Sequence, residues 1–198
     1  SNLAEVIDPS DLRTISNELV AGIEKDKGSR EDWESTYTDG LKYLGMKFDA
    51  ERSEPFAGAS GVIHPLLGEA VTTFQAQAYK ELLPSGGPVK TQVMGAYSSM
   101  LEEQAQRVKD FMNYQITHVM EEFDEELDQM LFYLPLAGSA FKKVYYDENL
   151  GRAVSKFIAP EDLIVPYYTT DLESCTRITN VIKMAENDVR KLQASGFY

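Results

Sequence analysis

The chain has 198 residues, of which 43% are hydrophobic and 26% are charged, and these values exclude wholesale disorder. Its 32 acidic and 19 basic residues give a net charge of −13, which excludes tight, sequence-reading binding to nucleic-acid phosphates but not contact with DNA that slides past. The single cysteine favours a reducing compartment, and no apolar run approaches the roughly 20 residues that span a bilayer, so we expect a soluble, cytoplasm-made protein without a membrane partner.

Two amphipathic helices are predicted at the start of the chain. In the first, apolar residues recur every three or four positions between Ser10, a predicted N-cap, and Gly28. The second is predicted to begin at a capping-box pair, Ser29 with Asp32, and to end at Gly45. Because each apolar side chain contributes about 1.5–3 kcal/mol when it is fully buried, we interpret both stripes as core.

The middle of the sequence alternates between loop and helix signals. Residues 46–61 are small, polar and rich in glycine, which predicts an exposed, adaptable loop. His64-Pro65 is predicted to start a third helix, and Val89–Val93 is predicted to form a short strand. A long helical stretch follows.

This stretch is predicted to begin with a capping box at Ser99 and to reach about Leu134. We expect it to break near Asn113 or Glu121, and to be ended by Pro135.

Strand signals dominate after this point. Ala140–Tyr146 and Ala153–Ile158 flank a polar turn that contains glycine, which predicts a β-hairpin. Asp162–Val165, bracketed by prolines, predicts an edge or isolated strand, and Cys175–Met184 predicts a further strand. Glu186–Ala194 predicts a last helix. Helices first and strands later favour an α+β fold, with a helix-rich N-terminal part and a small, mostly antiparallel β region.

A dense acidic run is the strongest candidate for a metal site. A metal site needs carboxylates that converge from several elements, whereas these lie on one predicted helix and are expected to cover its solvated face. If the helix lines a channel, the same charges would repel passing DNA. The alternative is a metal-dependent hydrolase or nuclease. The residues concerned are Glu121, Glu122, Asp124, Glu125, Glu126 and Asp128.

No catalytic residue, cofactor site or metal site is predicted. His64 and His118 have no Cys, His or carboxylate neighbours at the spacing of metal ligands. Residues 58–61 precede a helix but lack the Lys and Thr of a phosphate-binding P-loop. A protein contact loop is the better interpretation there, because arginine and aromatic side chains are strong interface anchors.

The elements together, in this order, resemble the N-terminal region of the portal proteins of tailed bacteriophages. The resemblance covers residues 30–198 and lies in the order of the elements rather than in any one motif. The matching segments are Trp33, Tyr37 and Leu41-Lys42-Tyr43; Arg52 and Phe56–Gly61 leading into His64-Pro65-Leu66; Gly138–Asp147; Phe157–Pro166; and Cys175–Ile178.

The resemblance implies a structural subunit of the dodecameric portal ring, which forms the channel for DNA at one vertex of the capsid. The implied partners are identical subunits, capsid and scaffolding proteins, a separate terminase motor, head-completion and tail proteins, and double-stranded DNA that passes non-specifically. The implied location is the virion, and the host cytoplasm during assembly.

In this scheme residues 1–29 form an N-terminal helical arm, 30–135 the helical part of the portal's wing region, and 136–198 the part that contains the hairpin. The long channel helix, clip and crown of the portal family are absent from the sequence. We therefore expect a piece of a longer protein, truncated at its C-terminus.

Two different surfaces are expected to join neighbouring subunits, because a ring closes through heterologous contacts. One is the loop with Arg52, Phe56 and Ser60, and the other is the hairpin over 140–152 with its basic side chains Lys142, Lys143 and Arg152. Basic side chains that merely decorate a strand's exposed face are the plainer interpretation of the second group. A third hypothesis is a small adaptor domain that binds a helix through an apolar seam.

Overall fold

The computed structural model describes residues 6–46, 56–59, 64–148 and 150–196, and it confirms the α+β fold. The chain is 57% helical, and the described part contains two small antiparallel sheets. The elements are α1 (Pro9–Ser29), α2 (Glu31–Leu41), α3 (Leu66–Leu82), α4 (Ser99–Tyr114), α5 (Phe123–Ala137), β1 (Phe141–Asp147), β2 (Arg152–Ile158), β3 (Leu163–Ile164), β4 (Thr179–Asn180) and α6 (Glu186–Ala194). Each of α2 and α4 runs into a π-helical turn, at Lys42–Met46 and Gln115–Val119.

Contacts within the chain define two compact units, which are described separately. The first consists of residues 1–34 and 161–198, and the second consists of residues 35–160. The second unit contains α3, α4, α5 and the β1–β2 hairpin, and the first contains α1, β3, β4 and α6.

Helix α5 organises the second unit by packing against α3 on one side and β2 on the other. Leu127 and Leu131 of α5 are buried there, together with Val71 of α3 and Val154 of β2. The spacing of Leu127 and Leu131, one helical turn apart, places both side chains on the same face. This face provides the apolar core of the unit.

Pro135 lies inside α5, so the prediction that it ends the helix is wrong. A proline in the last turn removes only one backbone hydrogen bond, and the helix continues to Ala137. The stop is Gly138, whose φ of 77° lies in the left-handed region and whose N–H donates to the Leu134 carbonyl at 2.9 Å.

The predicted hairpin is confirmed. β1 and β2 pair antiparallel, in register from Phe141 opposite Ile158 to Asp147 opposite Arg152. Gly151 closes the turn with a φ of 64°, and its N–H donates to the Asp147 carbonyl at 2.8 Å. A left-handed residue at this position favours glycine, as the sequence pattern indicated.

The strand predicted over Val89–Val93 does not form, because a side chain occupies its pairing groups. The Asn113 carboxamide accepts from the Val89 N–H at 2.9 Å and donates to the Val89 carbonyl at 3.2 Å. The Thr91 hydroxyl donates to the Ala105 carbonyl of α4 at 3.0 Å. Segment 89–93 is thereby held against α4 through side chains instead of a sheet.

The two later strands form within the predicted ranges but are shorter than predicted. Only Leu163–Ile164 and Thr179–Asn180 pair, as β3 and β4. Asp162 belongs to a 3-10 turn, and the first half of Cys175–Met184 folds around Arg177, whose carbonyl accepts from the Cys175 thiol at 2.9 Å.

Helix starts differ from the predicted caps, although α6 has the predicted bounds. α1 begins at Pro9, where the missing N–H costs nothing, and α4 begins at Ser99, preceded by Ser98. α3 begins at Leu66, directly after the predicted proline start. Ser29 is the last residue of α1 rather than the cap of α2. Its hydroxyl donates to the Asp26 carbonyl at 2.6 Å.

The first unit is held together largely by charged side chains. The Arg30 guanidinium donates to the carbonyls of Leu163 and Glu161, each at 2.8 Å. The Arg177 guanidinium donates to the Asp26 carboxylate at 2.7 Å, and to the Gly22 carbonyl at 2.8 Å. These bonds fasten the segment after residue 160 to α1.

Candidate assembly interface

Two glutamates of α5 and its N-terminal flank bind the outer edge of the hairpin. The Ser155 N–H donates to the Glu122 carboxylate at 3.0 Å, and the Phe157 N–H donates to the Glu126 carboxylate at 2.6 Å. Residues four apart on a helix rise by about 6 Å, and residues two apart on a strand by about 7 Å, so the two spacings match. The helix thus takes the place of a third strand along β2.

Arg152 belongs to the same contact. Its guanidinium lies 2.7 Å from the Glu122 carboxylate, and both side chains are largely buried. Burial alone would raise the pKa of Glu122, but hydrogen bonds to its own N–H, to Arg152 and to the Ser155 N–H outweigh burial, and the pKa lies below its ordinary value. Arg152, predicted as an intersubunit residue, is therefore engaged within its own subunit.

Lys142 and Lys143 are neighbours in sequence with different environments. The Lys142 ammonium is buried 3.6 Å from the centre of the Phe123 ring, and it has no hydrogen-bond partner among the described residues. Burial lowers the pKa of Lys142, against the opposing charges of Glu126 and Glu122. Lys143 is exposed, 5.5 Å from the centre of the Tyr145 ring. Only Lys143 is available to a partner.

The predicted contact loop is described in part. Phe56 is 70% exposed, and its carbonyl accepts from the Ala59 N–H at 3.0 Å in a tight turn. Gly58 in this turn has a φ of 86°. Arg52 and Ser60 lie outside the described residues. The structure therefore brings Lys142 and Arg152 together at α5 and places Phe56 at the surface.

The acidic run has two roles. Asp124 accepts from the Tyr79 hydroxyl, which raises the pKa of Tyr79, and the Gln75 amide donates to the Asp128 carboxylate at 2.8 Å. Glu121 and Glu125 are exposed, as predicted for a solvated face. The prediction is wrong for Glu122 and Glu126, which turn towards the hairpin. Within the described ranges, no group of three or more His, Cys, Asp or Glu side chains could hold a metal ion.

The two histidines lie in different segments of the second unit. His118 lies in the π-helical turn after α4, where its ring stacks on Tyr114 with 5.4 Å between ring centres. Its Nδ1 lies 2.6 Å from the Thr117 hydroxyl. His64 is exposed just before α3. Neither geometry indicates a metal ligand.

A stripe of apolar side chains on α4 is exposed to solvent. Helix α4 contains no buried residue at all. Residues 101, 108 and 112 recur at spacings of seven and four, which places them along one face of the helix, and residues 100 and 111 lie beside them. The exposed fractions are 65% for Met100, 43% for Leu101, 51% for Val108, 62% for Phe111 and 44% for Met112.

A second exposed stripe lies on α1 in the first unit. Ile15, Leu19 and Val20 are 41%, 52% and 55% exposed. Both stripes therefore have the amphipathic pattern of a packed helix face, although each of the side chains named is at least 41% exposed. Over those residues, no helix is long and apolar enough to cross a membrane.

The sequence matches no protein-family model, and no curated protein matches it either.

Proposed function

We propose that this chain is a non-enzymatic structural subunit that assembles with identical copies into a ring. Together with the resemblance given above, this proposal makes it part of a phage portal, the capsid-vertex channel for DNA packaging and ejection and the platform for tail attachment. The observation that supports it most is the exposed apolar stripe of α4.

An exposed apolar stripe is costly for a protein that works alone. Each large apolar side chain contributes about 1.5–3 kcal/mol when it is buried, and contiguous exposed patches mark interaction sites. On α4 the patch consists of Met100, Leu101, Val108, Phe111 and Met112. A second copy of the chain would bury it.

The acidic composition fits the same proposal. A net charge of −13 keeps the phosphate backbone from adhering, and a passage through which DNA is pumped needs a surface of this kind. The exposed carboxylates of Glu121 and Glu125 would contribute to it.

The hydrogen bonds of the acidic run favour this proposal over a metal-dependent nuclease. Glu122 and Glu126 are occupied by the hairpin, while Asp124 and Asp128 bind side chains of α3. A nuclease site would have to release these bonds before its carboxylates could converge on an ion. Titration calorimetry with magnesium or manganese separates the two proposals, because a nuclease site would bind stoichiometrically, whereas acidic surface charge gives only weak, salt-sensitive association.

The assembly is tested by light scattering and electron microscopy of the purified chain at increasing concentration. We expect a closed ring whose mass is a fixed multiple of the monomer mass. Phe111→Asp should shift the mass towards the monomer, because a charge would be buried in the interface. Tyr168→Asp is the matched control, since Tyr168 is 82% exposed and lies outside the stripe. Equal masses for wild type and Phe111→Asp would refute the role of α4.

The predicted contact loop has its own test. Arg52→Glu should weaken ring formation and leave the monomer fold intact, because an anchor cation would become an anion in a chain whose net charge is already −13. Unchanged rings in electron micrographs would remove Arg52 from the interface. A monomeric chain that binds an amphipathic helical peptide would instead favour the adaptor hypothesis.

A further inference from the structure

The two edges of the hairpin differ in how their backbone groups are satisfied. Along β2, the N–H groups of Ser155 and Phe157 point away from β1 and bind Glu122 and Glu126. In an antiparallel pair, every second residue directs its N–H and carbonyl outward. The strand register shows which backbone groups of β1, at the opposite edge, point outward.

Ser155 is opposite Val144, and Phe157 is opposite Lys142. Because opposed residues in an antiparallel pair share the same hydrogen-bonding class, the backbone groups of Val144 and Lys142 also point outward, and so do those of Tyr146 two residues on. In the described part of the chain, these groups have no backbone partner outside the hairpin. β1 is therefore an open edge.

The side chains do not protect this edge. Val144 and Tyr146 are each 65% exposed, and β1 contains no proline and no bulge. Natural proteins usually protect a long apolar edge strand with charges, prolines or bulges, because its free backbone groups can pair with a strand of another chain. Of the two lysines in β1, Lys142 has a buried ammonium, so Lys143 is the one that presents its charge at the surface.

The chain also contains a segment beyond β4 that belongs to neither a helix nor a strand. In residues 181–185, Ile182 and Met184 are 61% and 38% exposed, and Ala185 has the extended dihedrals φ −71° and ψ 147°. The Val181 N–H donates to the Asp162 carbonyl at 2.7 Å, towards β3, so in a strand that continues β4 the backbone groups of Ile182 and Met184 face away from β3. They form the second open edge.

The two edges are complementary in one antiparallel register. With Val144 opposite Met184, Tyr146 lies opposite Ile182, and both are apolar cross-strand pairs. The pairing ends there, because Glu186, which would lie opposite Lys142, is the first residue of α6. On the other face of the same strands, Lys143 lies opposite Ala185, so no two lysines are opposed.

We propose that segment 181–185 of one copy adds as a strand to the open edge of β1 in the next copy. This inference rests on the proposed ring, since it joins two different surfaces of identical subunits, as a heterologous contact requires. Backbone hydrogen bonds at Val144 and Tyr146 supply affinity, and the pairs at Met184 and Ile182 set the register.

Hydrogen exchange with residue resolution tests the pairing in the intact chain. The amides of Val144 and Tyr146 should exchange rapidly in dilute protein and become protected as the concentration rises. Val144→Pro removes an outward N–H without breaking the β1–β2 ladder, so it should raise the dissociation constant of the assembly about tenfold or more. Val144→Thr, which keeps the N–H, is the matched control and should leave the constant within about twofold.

Met184→Pro tests the other partner and guards against misfolding of the hairpin variant, because residue 184 lies outside every helix and strand described. It should weaken assembly to a similar degree. Rings that form while these two amides still exchange rapidly, or rings unaffected by both prolines, would overturn the strand pairing and leave the ring proposal standing. Amides that are already fully protected in the monomer would show that the pairing lies within a single chain, which would also overturn the proposal. A chain that stays monomeric at every concentration would overturn both proposals.

Discussion

The carboxylate of Asp26 lies 2.7 Å from the guanidinium of Arg177, in an ion pair that joins positions 151 residues apart. The Asp26 side chain is only 6% exposed, and that of Arg177 is 29% exposed. A Cβ at position 22 would lie 2.2 Å from a terminal nitrogen of Arg177, so a larger residue there must displace this guanidinium. One charged pair and one glycine thus fasten the C-terminal segment to α1.

Replacing Gly22 tests this arrangement. Gly22→Ala should destabilise the fold by about 1–2 kcal/mol, because the loss of the Arg177 partner from the buried Asp26 carboxylate exceeds the gain of about 1 kcal/mol in helix propensity. Gly28→Ala on the same helix is the matched control, since nothing lies within 4 Å of a Cβ there. It should stabilise the fold by up to about 1 kcal/mol through helix propensity. Urea denaturation of both variants measures the difference, and equal effects would contradict the role assigned to Gly22.

The covered edge of β2 predicts unequal effects for two neighbouring glutamates. Glu126→Ala should cost about 1–2 kcal/mol, because the Phe157 N–H loses a charged acceptor at 2.6 Å. Glu125→Ala, at an exposed position, should change stability by less than about 0.5 kcal/mol. The amide of Phe157 should exchange faster only in the first variant. A Phe157 amide that is equally protected in both would show that Glu126 does not cover the edge.

Lys142 predicts a stabilising substitution. Lys142→Met should raise the free energy of unfolding by about 0.5–1 kcal/mol near neutral pH, since it removes a buried ammonium that lacks a hydrogen-bond partner. The lowered pKa also means that the folded state releases its proton first as the pH rises. As the pH rises from that lowered pKa to about 10.4, the pKa in the unfolded chain, the free energy of unfolding of the wild type should therefore rise relative to that of Lys142→Met. Lys143→Met is the control and should show neither effect; a destabilised Lys142→Met would refute the prediction.

Acid sensitivity should depend on Glu122. Its pKa is lowered in the folded state, so its contribution to stability is complete above the unfolded value of about 4.3 and is lost as the pH falls through the lowered pKa. Glu122→Gln should be less stable than wild type at neutral pH, and the two stabilities should converge in acid. Denaturation curves taken from neutral pH to about 2 give this difference directly. A difference that stays constant over the range would show that the ionised carboxylate has no part in docking the hairpin.

Local signals in the sequence were sufficient for the hairpin and the last helix. Aromatic and β-branched runs flank a turn that needs glycine at position 151, and that chemistry depends on neighbours in sequence. Val89–Val93 has the same local appearance, but the Asn113 side chain binds its backbone from 24 residues away. A sequence pattern that covers only a few neighbouring residues cannot reveal a partner so far along the chain.

In the candidate interface, too, some features could be predicted from the sequence and others could not. The apolar stripe of α4 follows from periodicity, whereas its lack of a cover is visible only in three dimensions. The roles of Glu122 and Glu126 were missed because an acidic helix usually faces water. Their spacing of four residues, just before a predicted hairpin, is the one signal in the sequence that could have suggested them.

The mass of the chain in solution tests the assembly proposal most directly. Sedimentation velocity over a wide concentration range, with electron micrographs of the same samples, should show a closed ring of identical subunits that loses mass on Phe111→Asp. A single monomer species at every concentration, with the α4 stripe still exposed to an apolar dye, would contradict it.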